Sequence, residues 1–413
     1  MFERRQYHLF LIIAFHSILF ASCFELYSQD SNKNHWSVEG SVSFGEIKKP
    51  DILVESILQD GTYQGYDLRI GYRDMDTSVY ASTYNYPTFG MGFSMANFSK
   101  VKMHSGAGLG NIYALYGFME VPLMCYKNLC LSPITSIGFS YNTDTYDPAS
   151  SPDKIFSSIP FMVYAGIEAR LKYHLTSQWE FGLGLNAKHY SNGRLGIMNK
   201  GINILGWDAS LRYYLSPDNY PSLQKTEFPF QRYFYYRVAL GAGVQTYLED
   251  LTVHKKEIRE GKERLYSKFS TTSDVSYRIS RMYGCGIGLN LFYVPSTHSF
   301  SEYDKLTFGE ESTSTLKYEP ISIGISVNQE LYYKNAALFG NFGYYLYREL
   351  GRRKDEKPFF QQAGFRYYFP QINDLFLGCS IKAHEFRKAE YFEFAVGKRF
   401  CPKGYKHLPP LAR

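Results

Sequence analysis

Alternating apolar and polar residues recur along most of this chain and constrain its fold more than any other feature. In FMVYAGIEARLK, from Phe161 to Lys172, one face receives Phe, Val, Ala, Ile, Ala and Leu, and the other receives Met, Tyr, Gly, Glu, Arg and Lys. Successive side chains of a β-strand point to opposite faces, so this period indicates strands. Aromatic residues make up 18% of the 413 residues, which also favours strands over helices.

The N-terminus has the pattern of an export signal. Arg4 and Arg5 precede an apolar run from Leu9 to Ala21, which is shorter than the ~20 residues that a membrane-spanning helix needs. We predict a signal peptide at residues 1–28, cleaved near Ser28. Phe-Ala-Ser-Cys23 also resembles a lipoprotein box, although Phe fits its first position poorly. Because no later apolar stretch is long enough for a transmembrane helix, a membrane form of this chain requires a closed β-barrel.

The lengths of the connections favour an outer-membrane barrel. Short links at 126–129, 175–178, 334–335 and 371–374 alternate with long polar ones at 142–159, 250–262 and 295–316. Bacterial barrels combine short periplasmic turns with long extracellular loops. We therefore predict an all-β, transmembrane antiparallel barrel of about 16 strands between Trp36 and Phe400. The predicted location is the outer membrane of a Gram-negative bacterium.

A weak internal repeat leaves a second architecture open. LGLNAKH (183–189) and GCSIKAH (378–384) are similar and lie about eight strands apart, which is consistent with two 8-stranded units. The predicted halves are residues 35–216 and 231–401, followed by a tail at 402–413. Only about fifteen residues separate the halves, so the single barrel is the favoured prediction.

Charge and cysteine content limit the possible ligands. The formal net charge of +6 includes no basic tract, which argues against nucleic-acid binding. The six Cys have no metal-ligand spacing, and we expect no metal or cofactor. Cys125 and Cys130 flank a predicted hairpin turn, where an exported protein permits a disulfide; two free thiols are the alternative.

The stretch AKHYSNGRLGIMNKGINILG, residues 187–206, places three polar residues on one face of the predicted barrel. His189 and Ser191 share a face with Trp179, Phe181, Leu183 and Leu185, and Asn203 lies on the corresponding face of the next strand. That apolar face is the one that contacts lipid. Polar groups there lose hydration unless they contact lipid headgroups or one another. The alternative is that all three lie just above the hydrocarbon and are solvated.

His-Tyr-Ser-Asn at 189–192, followed by Asn-Lys-Gly-Ile-Asn at 199–203, resembles the signature of the outer-membrane lipid A 3-O-deacylases, often labelled acyloxyacyl hydrolases. PTFGMGF at 87–93 is also similar to this family, and the resemblance covers roughly Trp36 to Ser216. It implies a small eight-stranded barrel with lipid-facing catalytic groups and lipid A of lipopolysaccharide as the substrate.

The resemblance also implies roles for individual residues. Ser191 matches the nucleophile and His189 its general base, whereas Asn203 stands where the family has a Glu that orients the His. Asn192 and Gly193 are candidates for the oxyanion hole, with an ordinary Asn-Gly turn as the alternative. Arg194 and Lys200 are candidates for binding lipid A phosphates, with two solvated loop cations as the alternative.

Two functions of different classes follow. The first is a serine esterase that removes a fatty-acyl chain from lipid A. The second is a non-catalytic barrel, either a porin or a scaffold, in which the His-Ser pair is vestigial. No second site is expected in the other half, because Lys382 and His384 face the lumen and no Ser follows them.

Overall fold

The computed structural model describes residues 35–402 except 50–51, 76–78, 105, 107, 148–153, 197, 217–228, 250–252, 255–256, 259–261, 352–356 and 387. The predicted signal peptide and the tail beyond residue 402 lie outside this range. In the part of the chain that the structure describes, no helix is long and apolar enough to cross a membrane.

Sixteen long antiparallel strands form two separate closed barrels. The first barrel contains β1 (Trp36–Ile47), β2 (Thr62–Arg73), β3 (Thr88–Asn97), β4 (Asn111–Glu120), β5 (Leu129–Asn142), β6 (Phe161–His174), β7 (Trp179–Ser191) and β8 (Ile202–Tyr214). The second contains β9 (Tyr233–Glu249), β10 (Lys262–Arg278), β11 (Tyr283–Tyr293), β12 (Tyr318–Tyr333), β13 (Ala336–Leu350), β14 (Phe359–Phe369), β15 (Leu375–His384) and β16 (Lys388–Phe400).

Backbone pairing between first and last strands closes each unit. In the first barrel β8 returns to β1, with Tyr214 opposite Ser37, and in the second β16 returns to β9, with Phe400 opposite Tyr236. The protein therefore has the alternative architecture of two eight-stranded units and not the favoured single barrel. A single barrel was the wrong prediction because residues 215–232 can span up to about 60 Å when extended, which is enough to join two barrels side by side.

The connections differ at the two ends of the barrels. The lower end holds the first and last residues of each barrel and the short turns; the upper end holds the long loops. Residues 74–87, which join β2 and β3 at the lower end, are an unpredicted longer link that contains a helix. The helices are α1 (Ile52–Ile57), α2 (Val79–Thr83), α3 (Thr297–Phe308) and α4 (Glu310–Thr313).

Several smaller elements complete these connections. Short strands and a 3-10 turn occur at Leu58–Asp60, Lys102–Met103, Met124–Tyr126, Val253–His254, Glu257–Ile258 and Pro370–Ile372. Cys125 and Cys130 pair directly across the lower hairpin before β5 and form a disulfide. Of the two predicted alternatives, a disulfide or two free thiols, the structure contains the disulfide.

Each barrel has an apolar outer face and a charged interior. On β7, Leu183 and Leu185 are exposed on the outside, whereas Asn186 and Lys188 are buried inside. An outward apolar band with a polar interior is the pattern of a transmembrane barrel, in which lipid covers the outside.

Ion pairs fill the interior of the first barrel. The Glu39 carboxylate accepts hydrogen bonds from Arg69, Arg170 and Arg212, all buried, and Glu120 pairs with Arg212. A buried charge without a partner is strongly destabilising, so this mutual pairing is what makes the polar interior tolerable. In the second barrel Arg237 pairs with Asp274 and Glu330 in the same way.

The two barrels contact each other at both ends. We call the lower contact the lower clamp: Asp74, Tyr84, Tyr333 and Lys334. Lys334 Nζ lies 3.2 Å from an Asp74 carboxylate oxygen, the Tyr333 hydroxyl donates to the same oxygen, and the Tyr84 hydroxyl donates to the Tyr332 carbonyl at 2.5 Å. Burial raises the pKa of Tyr84 from 10 to about 12, so its hydroxyl remains a donor at pH values where a free tyrosine ionises. At the upper end, Thr246 of the second barrel contacts the loop between β7 and β8.

Candidate active site

The upper ends of β7 and β8 place the predicted polar residues on the outer wall of the first barrel. Tyr190 and Ile202 are fully buried in an apolar cluster that closes the upper end of this barrel. Because neighbouring residues of a strand point to opposite sides, this burial directs His189, Ser191 and Asn203 outward. The outward direction agrees with the direction predicted from the sequence.

His189 and Asn203 are direct partners in the pairing of β7 with β8. His189 Nδ1 and Asn203 Oδ1 are 2.7 Å apart. An amide oxygen only accepts hydrogen bonds, so the imidazole proton lies on Nδ1 and Nε2 keeps its lone pair. This is the tautomer that a general base requires, and the exposed imidazole faces outward.

Ser191 is covered by the loop that joins β7 to β8, residues 192–201, which we call the site loop. Its hydroxyl donates to Asn199 Oδ1 at 3.0 Å and accepts from the Gly193 N–H at 3.2 Å. Among the described residues, Ser191 has no hydrogen bond to His189. Both side chains flank Gly201: a Cβ built there would lie 3.2 Å from His189 Cε1 and 3.7 Å from Ser191 Cβ.

Asn199 is a site residue that the sequence analysis did not assign. Its Oδ1 atom accepts from the Ser191 hydroxyl and from the Asn192 N–H, each at 3.0 Å. Strand alternation does not predict this contact, because Asn199 lies in the site loop and not on a strand. Its place in the Asn-Lys-Gly-Ile-Asn stretch was the only signal.

Asn192 anchors the site loop. Its side-chain N–H groups donate to Ser157 Oγ at 3.1 Å and to the Met198 carbonyl at 2.9 Å, and its Oδ1 accepts from the Arg194 N–H at 3.1 Å. The backbone N–H of Asn192 donates to Asn199 Oδ1 and is therefore not directed at Ser191. Of the two oxyanion candidates, only Gly193 directs its N–H toward Ser191.

The two candidate phosphate-binding cations differ in their environments. Arg194 is half-buried, and its Nε atom is buried without a hydrogen-bond partner in the described part of the chain. Its backbone is left-handed, with a φ of 67°. Lys200 is exposed, and its N–H donates to the Ile155 carbonyl at 3.2 Å. Both lie in the site loop, at the same end of the barrel as Ser191.

His384 of the second barrel follows a sequence similar to the one before His189, but it lies in a different environment. His384 is buried inside the barrel, where Nε2 lies 2.9 Å from Glu390 and Nδ1 lies 3.1 Å from the Phe359 carbonyl oxygen. Lys382 is also buried, with Nζ 3.4 Å from the centre of the Phe292 ring. Both side chains face the lumen, as predicted, and they do not form a lipid-facing site.

Solved structures of several outer-membrane barrels are similar to parts of the chain. The outer membrane enzyme PagL is 17% identical with a TM-score of 0.29, over 42% of this chain and 97% of that chain. Neisserial surface protein A is 11% identical with a TM-score of 0.30, over 45% of this chain and 100% of that chain. The N-terminal β-barrel domain of Pseudomonas aeruginosa OprF is 16% identical with a TM-score of 0.23, over 44% of this chain and 99% of that chain.

Family models match both barrels, whereas no curated protein matches the sequence. The model described as lipid A 3-O-deacylase (PagL) matches residues 67–212, which include His189, Ser191 and Asn203. The model described as acyloxyacyl hydrolase, C-terminal domain, matches residues 232–403. The chain therefore belongs to the lipid A 3-O-deacylase family and carries an acyloxyacyl hydrolase C-terminal domain as its second barrel.

Proposed function

We propose that this protein is an outer-membrane serine esterase that removes a fatty-acyl chain from the lipid A of lipopolysaccharide. The observation that carries the proposal is the 2.7 Å contact of His189 with Asn203 on the outward face, with Ser191 at the next outward position of β7. An acyl ester in the outer leaflet reaches only the outer wall of a barrel. The site therefore meets its substrate without removing the lipid from the membrane.

The mechanism begins with a rotation of the Ser191 side chain from Asn199 toward His189. His189 Nε2 takes the hydroxyl proton as Ser191 Oγ attacks the ester carbonyl carbon. The Gly193 N–H, which donates to Ser191 Oγ before the reaction, is the candidate donor to the developing oxyanion. The tetrahedral intermediate collapses by breaking the bond between the acyl carbon and the sugar oxygen, and His189 gives the proton to that oxygen, which leaves as a hydroxyl. Water then attacks the acyl-enzyme with His189 as base, and the fatty acid leaves.

Asn203 gives this triad a weaker third member than a carboxylate. Its amide oxygen fixes the histidine tautomer, but it carries no negative charge to stabilise the imidazolium that forms during proton transfer. We therefore propose that the reaction proceeds with an orienting amide, as in Cys-His-Asn enzymes, and more slowly than with Glu at this position.

Arg194 and Lys200 supply positive charge beside the site. Lipid A phosphates lie at the membrane surface, which is the level of the site loop. Arg194 is half-buried in the site loop, and its guanidinium would pair with a phosphate oxygen there. These contacts would orient the lipid so that one acyl ester lies against Ser191.

Mass spectrometry of lipid A tests the proposal. Lipid A is extracted from cells that express the wild-type protein, Ser191→Ala or the control Ser267→Ala, an exposed serine on β10 of the second barrel. We expect the wild type and the control to produce lipid A that lacks one acyl chain, and Ser191→Ala to leave lipid A intact. The reaction should release one free fatty acid for each lipid A converted.

The competing function is a non-catalytic porin or scaffold. The ion pairs that fill the first barrel argue against a water channel there, and in the second barrel the buried Arg237, paired with Asp274 and Glu330, occupies the interior in the same way. If cells with the wild type, Ser191→Ala and no protein contain the same lipid A, and purified protein releases no fatty acid, the esterase proposal is wrong.

A further inference from the structure

Thr246 of the second barrel is buried although its position on β9 faces outward. Other outward residues of this strand are open to the surroundings: Phe234 is 63% exposed and Leu240 is 58% exposed, whereas Thr246 is 3% exposed. The site loop of the first barrel provides the cover. The second barrel therefore contacts the segment that directly follows Ser191.

Two hydrogen bonds make this contact. The Thr246 N–H donates to the Arg194 carbonyl at 2.9 Å, and Thr246 Oγ1 donates to the Leu195 carbonyl at 2.8 Å. The pairing of β9 with β16 ends at Val244, so among the residues that the structure describes no strand pairs with the edge of β9 above it on that side. The site loop occupies this open edge, which would otherwise expose unpaired backbone groups.

The site loop is held on its other side by its own barrel. The Ser158 N–H donates to the Met198 carbonyl at 3.0 Å, and the Gly201 N–H donates to the Phe156 carbonyl at 3.1 Å. Arg194 needs such support, because a left-handed backbone is unfavourable for a residue with a side chain. Thr246 bonds to this strained residue and to the one after it.

We propose that Thr246 is a positioning residue for the esterase site. By fixing the carbonyls of Arg194 and Leu195, it holds the preceding Gly193 N–H on Ser191 Oγ. The second barrel thus completes the site without touching the reacting atoms. This inference rests on the proposed esterase function.

The test compares Thr246→Val, which loses the hydroxyl donor, with Thr246→Ser, which keeps it. Thr271→Val on β10 is the matched control, because it changes an outward threonine whose side chain makes no hydrogen bond in the described part of the chain. Each purified full-length variant is assayed for kcat and KM on lipid A in detergent micelles. Electrophoretic mobility before and after boiling verifies that both barrels are folded.

We expect Thr246→Val to lower kcat roughly tenfold with KM unchanged, and Thr246→Ser to restore most of kcat. Thr271→Val should equal the wild type. A Thr246→Pro variant, which also removes the backbone donor, should lose more activity than Thr246→Val. The inference is overturned if folded Thr246→Val retains kcat within twofold of wild type while Ser191→Ala is inactive. If Ser191→Ala is as active as the wild type, the esterase proposal itself fails.

Discussion

At the residue scale, Asn203 is where the site departs from the triad that its family implies. Alternation along β7 and β8 puts both His189 and Asn203 on the outward face, and the strand register then places Asn203 opposite His189. The contact of Asn199 with Ser191 was not predictable, because the path of the site loop depends on distant segments at Ser157 and Thr246. The site residues on the strands could therefore be predicted from the sequence, whereas Asn199 in the site loop could not.

A carboxylate at position 203 should improve the enzyme. In Asn203→Glu the new negative charge stabilises the imidazolium, and we expect kcat to rise by roughly tenfold. Asn203→Leu should lower kcat by roughly tenfold or more, because the histidine tautomer is no longer fixed. The measurement is release of fatty acid from lipid A by purified protein. Equal rates for the Glu, Leu and wild-type forms would show that residue 203 does not act through His189.

At the element scale, the strands follow from local sequence more closely than the connections do. The predicted limits at Trp36 and Phe400 are the first and last residues of the sixteen strands. The 74–87 link was missed because its packing involves the second barrel: Tyr84 and Asp74 both belong to the lower clamp. The alternating pattern of a strand can be read from its own sequence, whereas the conformation of a loop depends on the distant residues that it contacts.

Two glycines of the site loop provide a matched pair for testing its packing. Gly193 and Gly201 have φ values of 60° and 66°, so Ala strains the backbone at both, by about 1 kcal/mol. Only at Gly201 would the new Cβ also crowd other atoms, at 2.9 Å from the Tyr190 carbonyl oxygen and 3.2 Å from His189 Cε1.

We therefore expect both variants to lose fatty-acid release through the shared backbone strain, and Gly201→Ala to lose more, because only its Cβ crowds the space beside His189. The assay is the same for both variants, and the temperature at which the boiled and unboiled electrophoretic mobilities converge reports stability. Equal losses of activity in the two variants would mean that the space beside His189 at Gly201 is not essential.

At the scale of the whole molecule, barrel closure was the feature that sequence could not decide. Sixteen alternating strands fit one wide barrel or two narrow ones equally well, because alternation does not say which strand the eighth one pairs with. The pairing of β8 with β1 joins residues far apart in sequence. Narrow barrels have interiors that side chains can fill, and the ion pairs around Glu39 and Glu330 do so.

Cleavage between the barrels tests this architecture directly. A protease site inserted within residues 217–228 is cut in the purified, folded full-length protein, and the products are separated by electrophoresis with and without boiling. Each closed barrel satisfies its own backbone hydrogen bonds, so we expect both fragments to stay folded and each to change mobility on boiling. One sixteen-stranded barrel would instead keep the fragments together until boiling. A single unboiled species that resolves into two bands only after heating, even when Asp74→Ala, Tyr84→Phe and Thr246→Val weaken the contacts between the barrels, would show that the two-barrel structure is wrong.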